Sequence, residues 1–120
     1  MFASNVERIL TLIRLAKEHH REVGLIGRSM WRMTNAAEEV GYLDKKTGLL
    51  NDRNLRNLED NKFLSICTGS QGEPLGALNR IVNDMHNHLT FKKGDRVIFS
   101  SRISFQYRFF CCVRIYYKRQ

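Results

Sequence analysis

The sequence predicts an α/β fold: an incomplete three-layer α/β/α sandwich on a mostly parallel sheet, with its first strand missing. Three observations lead there. Amphipathic helical stretches alternate with short apolar runs that show no in–out alternation, as expected of strands covered on both faces and joined by crossover helices. A Gly-rich turn within Cys67-Thr-Gly-Ser-Gln-Gly-Glu-Pro74 follows one such run and precedes a helical stretch. The first helix begins almost at Met1, with no strand ahead of it.

Ser4-Asn-Val-Glu7 has the S-x-x-E form of a capping box, in which the Ser oxygen and Glu carboxylate satisfy the first unpaired N–H groups of a helix. Val6, Ile9, Leu10, Ile13 and Ala16 follow at helical spacing, with Leu12 and Leu15 widening the apolar face, so a helix is predicted over about residues 5 to 20. Val23-Gly-Leu-Ile26 reads as a buried strand, and Gly27-Arg-Ser29 as a turn. Met30, Met33, Ala37 and Val40 mark a second helix, with Gly41 placed for a left-handed C-terminal cap. Residues 45 to 61 are polar, with room for one helical turn near Arg53. Phe63-Leu-Ser-Ile-Cys67 is the next strand, residues 74 to 85 the third helix, and Arg96-Val-Ile-Phe-Ser-Ser101 a further strand.

At 120 residues the chain is one domain, and 42% hydrophobic with 27% charged residues is ordinary for a globular protein. The net charge of +8 favours polyanionic partners, nucleic acid first and acidic membrane surfaces second; its plain alternative is a solvated basic surface. Half of that excess lies in the tail, where Arg108, Arg114, Lys118 and Arg119 occur with no acidic residue. Cys67, Cys111 and Cys112 suit a reducing compartment, and no run approaches the ~20 apolar residues that span a bilayer. With no signal-peptide pattern either, the expected location is cytoplasmic and no membrane partner is expected.

The Gly-rich turn has two readings. Gly69 and Gly72 allow backbone angles that let successive N–H groups converge on a phosphate at a helix start. Alternatively Ser70 and Glu73 cap a tight turn, and the Glu73 carboxylate itself supplies the negative charge. No Lys or Ser/Thr follows in Walker-A spacing, which argues against ATP hydrolysis. His86 and His88 form an H-x-H pair and His19-His20 another; zinc needs three or four convergent ligands, so both pairs read as solvated histidines near helix ends. Cys67 and Trp31 read as packing residues.

Five blocks then occur in order: Phe2-Ala-Ser-Asn-Val-Glu-Arg8, Gly27-Arg-Ser-Met30, Gly41-Tyr-Leu43, Cys67-Thr-Gly-Ser-Gln-Gly-Glu-Pro74 and Gly94-Asp-Arg-Val-Ile-Phe-Ser-Ser-Arg102. Together the set resembles the β-CASP domain of bacterial ribonuclease J, a metallo-β-lactamase-fold ribonuclease. The resemblance implies a zinc-dependent hydrolase that processes and degrades RNA, often from a 5′-monophosphorylated end. It also implies that a metallo-β-lactamase domain supplies most zinc ligands through an H-x-H-x-D-H motif, which this sequence lacks. The chain is therefore expected to be part of the RNA-binding wall, with no catalytic residue, no metal ligand and no cofactor of its own. RNA, and not DNA, is the expected partner, with a metallo-β-lactamase domain on a sister fragment as a second.

The expected RNA or phosphate contacts are Ser4 and Asn5 at the first helix start, Ser70, Gln71 and Gly72 in the loop, and Ser100, Ser101 and Arg102 after the last strand. All follow or end strands, which should gather them at the carboxyl edge of the sheet, where such folds bind ligands. Two further readings stay open: a free-standing phosphate or nucleotide binder using the same edge, and a non-functional product of gene decay.

The resemblance covers residues 1–103, a partial β-CASP domain, and gives way to a divergent basic aromatic tail at 104–120, the pattern of a frameshift or of a split gene. In that tail Ile103, Phe105, Tyr107 and Phe109 alternate with polar residues as in a strand. Burying one face of each ring would contribute roughly 1.5–3 kcal/mol if a surface existed to receive it. The tail is expected to be extended but poorly packed. Cutting the chain after Ile103 should raise its solubility and leave the melting temperature almost unchanged; a marked fall in melting temperature would show an integrated strand.

Overall fold

The computed structural model describes residues 5–69 and 73–100. The aromatic tail, Ser4, Ser70, Gln71, Gly72, Ser101 and Arg102 lie outside the described residues. The elements run α1 (Val6–Glu18), β1 (Glu22–Ile26), α2 (Arg28–Glu39), a 3-10 turn (Lys45–Thr47), α3 (Asp52–Leu55), β2 (Phe63–Cys67) and α4 (Ala77–Val82).

β1 and β2 pair in parallel, from Glu22 opposite Phe63 to Ile26 opposite Cys67. Successive N–H groups of a strand point to opposite edges. Glu22 donates to Lys62 on the β2 side, whereas Leu25 donates to the Leu50 carbonyl at 3.0 Å and the Leu50 N–H returns a bond to Val23 at 2.9 Å. β1 is thus the central strand, with the bridge at Leu50 on its far edge. Its last carbonyl on that edge, Leu25, accepts a hydrogen bond from the Trp31 indole at 3.1 Å. Trp31 therefore completes the edge of the sheet as well as packing against it.

The pleat sorts side chains into two cores. Val23 and Leu25 of β1 and Ile66 of β2 face Ile9, Ile13 and Ala16 of α1 and Met30 and Ala37 of α2. Ile26, with Phe63 and Cys67, faces Leu55 of α3 and Ala77 and Ile81 of α4. Helices α1 and α2 form one layer and α3 and α4 the other, so the three-layer α/β/α arrangement read from the sequence is the one observed. Ile9, Leu25 and Met30 are fully buried, each stabilising the fold by roughly 1.5–3 kcal/mol relative to an exposed position.

Three expectations differ in detail. The cap of α1 is Asn5, whose side-chain oxygen accepts the Arg8 N–H at 3.1 Å. The third helix starts at Ala77 and not at Pro74. Residues 74–76 form a turn closed by Gly76 N–H donating to Glu73 at 2.9 Å, and the backbones at 69 and 76 approach so closely that a Cβ on Gly76 would lie 2.8 Å from Gly69 Cα. That approach holds the chain off a helical path until Ala77. Residues 96–100, predicted as a strand, pair with no strand among the described residues; Phe99 instead packs onto Leu78.

Helices α1, α2 and α4 end in the same way. In each, the second residue past the helix lies in the left-handed region: His20 (φ 55), Gly41 (φ 76) and Asp84 (φ 57). The next N–H reaches back into the last turn, from Arg21 to Ala16, Tyr42 to Ala37 and Met85 to Arg80, each at 2.8 Å. This is the Schellman arrangement. Gly41 adopts it without steric penalty, whereas His20 and Asp84 hold a conformation that costs an L-residue about 1–2 kcal/mol. His20→Gly should therefore raise stability by roughly 0.5–1 kcal/mol, after the larger unfolded-state entropy of glycine is subtracted. Gly41→Ala should lower it by a similar amount. Chemical denaturation of the three chains checks both signs.

Gly24 is the opposite case. A Cβ there would lie 2.0 Å from the Leu55 Cδ1 atom, and Leu55 is fully buried. Gly24→Ala should cost about 1–3 kcal/mol, the range for overpacking a filled core. A Gly24→Ala, Leu55→Ala double variant should recover part of the loss that the two single variants sum to.

Candidate functional site

Both strands of a parallel sheet end at the same edge, here at Ile26 and Cys67. From Ile26 the chain turns at Gly27 (φ 109) into α2, and from Cys67 it leaves through Thr68 and Gly69 (φ 107). The two exits touch, since a Cβ on Gly27 would stand 3.0 Å from Thr68 Oγ1. Gly69 lies against Leu78, where an added Cβ would meet the Leu78 backbone nitrogen at 3.1 Å. Its positive φ and this close approach explain the glycine directly after Thr68.

Helix α1 reaches the same edge from the other direction. It is joined to β1 by the short turn at residues 19–21, so it runs back along the strand it packs on. Its 13 residues cover about 20 Å, enough to bring Asn5 to the far end of β1. The Arg8 guanidinium then donates to the carbonyl of Ser100. Ser100 follows Phe99, which is packed against Leu78, the residue whose N–H bonds to Thr68 at the β2 exit. Asn5, Ser100 and the exits of β1 and β2 therefore share one end of the molecule.

Of the eight residues expected to contact phosphate, Asn5 and Ser100 fall among the described residues and the edge brings them together. Asn5 is exposed, and capping occupies its side-chain oxygen, so its amide donor is the group left for a ligand. Ser100 is half-buried, with its carbonyl taken by Arg8. Ser4, Ser70, Gln71, Gly72, Ser101 and Arg102 lie outside the described residues.

The edge also contains two cations that the pattern reading passed over. Arg8 and Arg28 are exposed, the first in the opening turn of α1 and the second at the first position of α2. The sequence signal for Arg28 was present, because a basic residue placed directly between a buried strand and a helix must sit at the carboxyl edge. Arg8 was hidden by its role as a polar-face residue of an amphipathic helix. Around them, two N–H groups near the start of α4 are already engaged. The Leu78 N–H donates to Thr68 at 3.0 Å and the Gly76 N–H to Glu73, so these two donors are consumed by backbone carbonyls.

The H-x-H pair is not simply solvated. The His86 side chain is 7% exposed, and its Nε2 lies 3.6 Å from Asp52 Oδ2. Its Nδ1 accepts the N–H groups of His88 and Leu89, both at 3.3 Å. Burial, opposed by Asp52 and assisted by Arg80 and His88, holds the imidazole below its ordinary pKa. His19 and His20 are exposed, as expected. Among the described residues no three of His, Cys, Asp and Glu converge on a point where a metal could be held, and the donors at His86 Nδ1 occupy the lone pair a metal would need. The residues described here do not fit the zinc that the resemblance implies for the full-length family. No helix among them is long and apolar enough to cross a membrane.

A family model described as the β-CASP domain of ribonuclease J matches residues 1–104. Ribonuclease J of Synechocystis sp. is 41% identical over 101 residues, which cover 83% of this chain and 16% of the relative. Ribonuclease J of Thermus thermophilus is 39% identical over 100 residues, covering 83% and 18%. Ribonuclease J 1 of Streptococcus pyogenes is 40% identical over 101 residues with the same coverage of the two chains, 83% and 18%. The chain thus spans less than a fifth of the length of these curated relatives. The match over nearly all of the described fold, with identities well above 30%, places it: the chain belongs to the ribonuclease J β-CASP domain family.

Proposed function

We propose that this chain forms part of the RNA-binding wall of a ribonuclease J-like nuclease acting in the cytoplasm. Phosphates would be gripped along the carboxyl edge by Ser4, Asn5, Ser70, Gln71, Gly72, Ser100, Ser101 and Arg102. Arg8 and Arg28 would supply charge beside them, and hydrolysis would belong to a zinc centre on a metallo-β-lactamase domain outside these 120 residues. The observation that carries the reading is the convergence of Asn5, Ser100 and both strand exits at one edge, flanked by two exposed arginines. The names of the relatives, all ribonucleases, support RNA as the polyanion.

The division of labour follows from the donor set. An exposed Arg neutralises a phosphate at long range, whereas Ser and Asn side chains and backbone N–H groups fix its position without reading sequence. Such an edge can hold and align a strand.

Binding of a 5′-phosphorylated single-stranded RNA to the full chain, followed by fluorescence anisotropy, should weaken linearly on a logarithmic salt scale. Arg28→Ala should lower the affinity several-fold and reduce the magnitude of that slope by about 0.7, the value for one lost contact to a single strand. Saturation by a mononucleotide, with discrimination among bases and little salt dependence, would favour a small-molecule pocket instead. With zinc or manganese added, the same RNA should remain uncleaved. Metal-dependent cleavage that disappears when both His86 and His88 are replaced would overturn the assignment of catalysis to another domain.

A further inference from the structure

Among the described residues, His86 is a buried ionisable side chain, 7% exposed, that the proposed RNA edge does not use. It sits where three parts of the chain meet: Asp52 opens α3, Arg80 lies in α4, and His88 and Leu89 belong to the loop that follows α4. Its two nitrogens have different duties. Nδ1 accepts two backbone N–H bonds and so carries no proton, which fixes the neutral ring with its proton on Nε2, directed toward the Asp52 carboxylate.

We propose that His86 is a proton-operated latch: neutral, it clamps the loop of residues 86–91 onto α3 and α4, and protonated, it releases that loop. A proton added at Nδ1 would confront two N–H groups with a third donor, and both backbone bonds would break. The charged and titratable groups facing the ring are Asp52 from α3, Arg80 from α4 and His88 from its own loop. Asp52 would favour the charged ring, but its side chain is 37% exposed and its carboxylate stands 3.6 Å away. Arg80, His88 and burial all oppose the charge, in accord with the lowered pKa. The loop is not an inert passenger. Leu89 and Phe91 pack on the core around Ile26, Leu55 and Ile81, and Phe91 also meets the group that holds Phe99. Release would therefore loosen the segment leading to Ser100.

The sign follows from linkage. The folded chain binds this proton less readily than the unfolded chain, so the stabilisation is fully present above the ordinary imidazole value of 6.5 and is lost as pH falls through that value toward the lower one of the folded state. Protons should thus be taken up on unfolding in mildly acidic solution.

The test is an imidazole and amide nitrogen NMR titration of the full chain. His86 should be the Nε2-protonated tautomer at neutral pH, should titrate below the ordinary imidazole value of 6.5, and should carry the His88 and Leu89 amide signals with it at the same midpoint. Titration of His86 at or above that value, a proton on Nδ1 at neutral pH, or amides that ignore the transition would each overturn the latch. Melting temperature against pH gives an independent arm. His86→Gln keeps an acceptor but cannot titrate, and it should flatten the fall seen in the wild-type chain between neutral and mildly acidic pH. An unchanged fall would also sink the proposal. Should that variant not fold, the wild-type titration alone decides.

Discussion

The contact between Leu55 and the bare Cα of Gly24 governs the rest of the molecule. Helix α3 has only four residues and cannot be stable alone. It persists because Leu55 drops into the space that a side chain at position 24 would fill. That seat draws the chain at Leu50 against β1, where two backbone bonds close the far edge of the strand. With Leu50 on one side and β2 on the other, β1 becomes central and its two faces are committed: Val23 and Leu25 to α1 and α2, Ile26 to α3 and α4. A larger residue at position 24 would push α3 outward and undo the pairing at Leu50 with it.

Close backbone approach recurs at the carboxyl edge. Gly27, Gly69 and Gly76 let the exits of both strands and the turn before α4 lie within touching distance. Their compactness has a chemical cost, since donors at the start of α4 are used to hold the turn. On the α1 and α2 side of the same edge, Asn5, Arg8 and Arg28 are exposed.

Much of this was legible from the chain. The strand at Phe63–Cys67 was bounded correctly because five apolar or small residues stand between polar stretches, and the C-terminal role of Gly41 followed from its place after a periodic run. The layers followed from the order of helices and buried runs. The misses have physical causes. Thr34 is 1% exposed in the core of α2 because its hydroxyl bonds back to the carbonyls of Met30 and Trp31, while Val40, apolar and in phase, is 77% exposed because the helix has already ended. The burial of His86 is a tertiary event, created by α3 and α4 arriving from either side, and no local pattern announces it. At the candidate edge, Asn5 and Ser100 could be grouped from topology alone, but their link through Arg8 spans 92 positions of sequence, beyond the reach of any periodicity.

The indole bond to Leu25 has an experimental consequence. The chain has one tryptophan, and its N–H is tied to the last carbonyl on the far edge of the central strand. Light absorbed selectively by indole therefore interrogates a single place, the junction of α2 with β1. A hydrogen-bonded, half-buried indole changes its emission when water replaces its partner. The molecule thus contains its own optical gauge of sheet integrity, one that needs no label and distinguishes fraying of the strand edge from the melting of helices elsewhere.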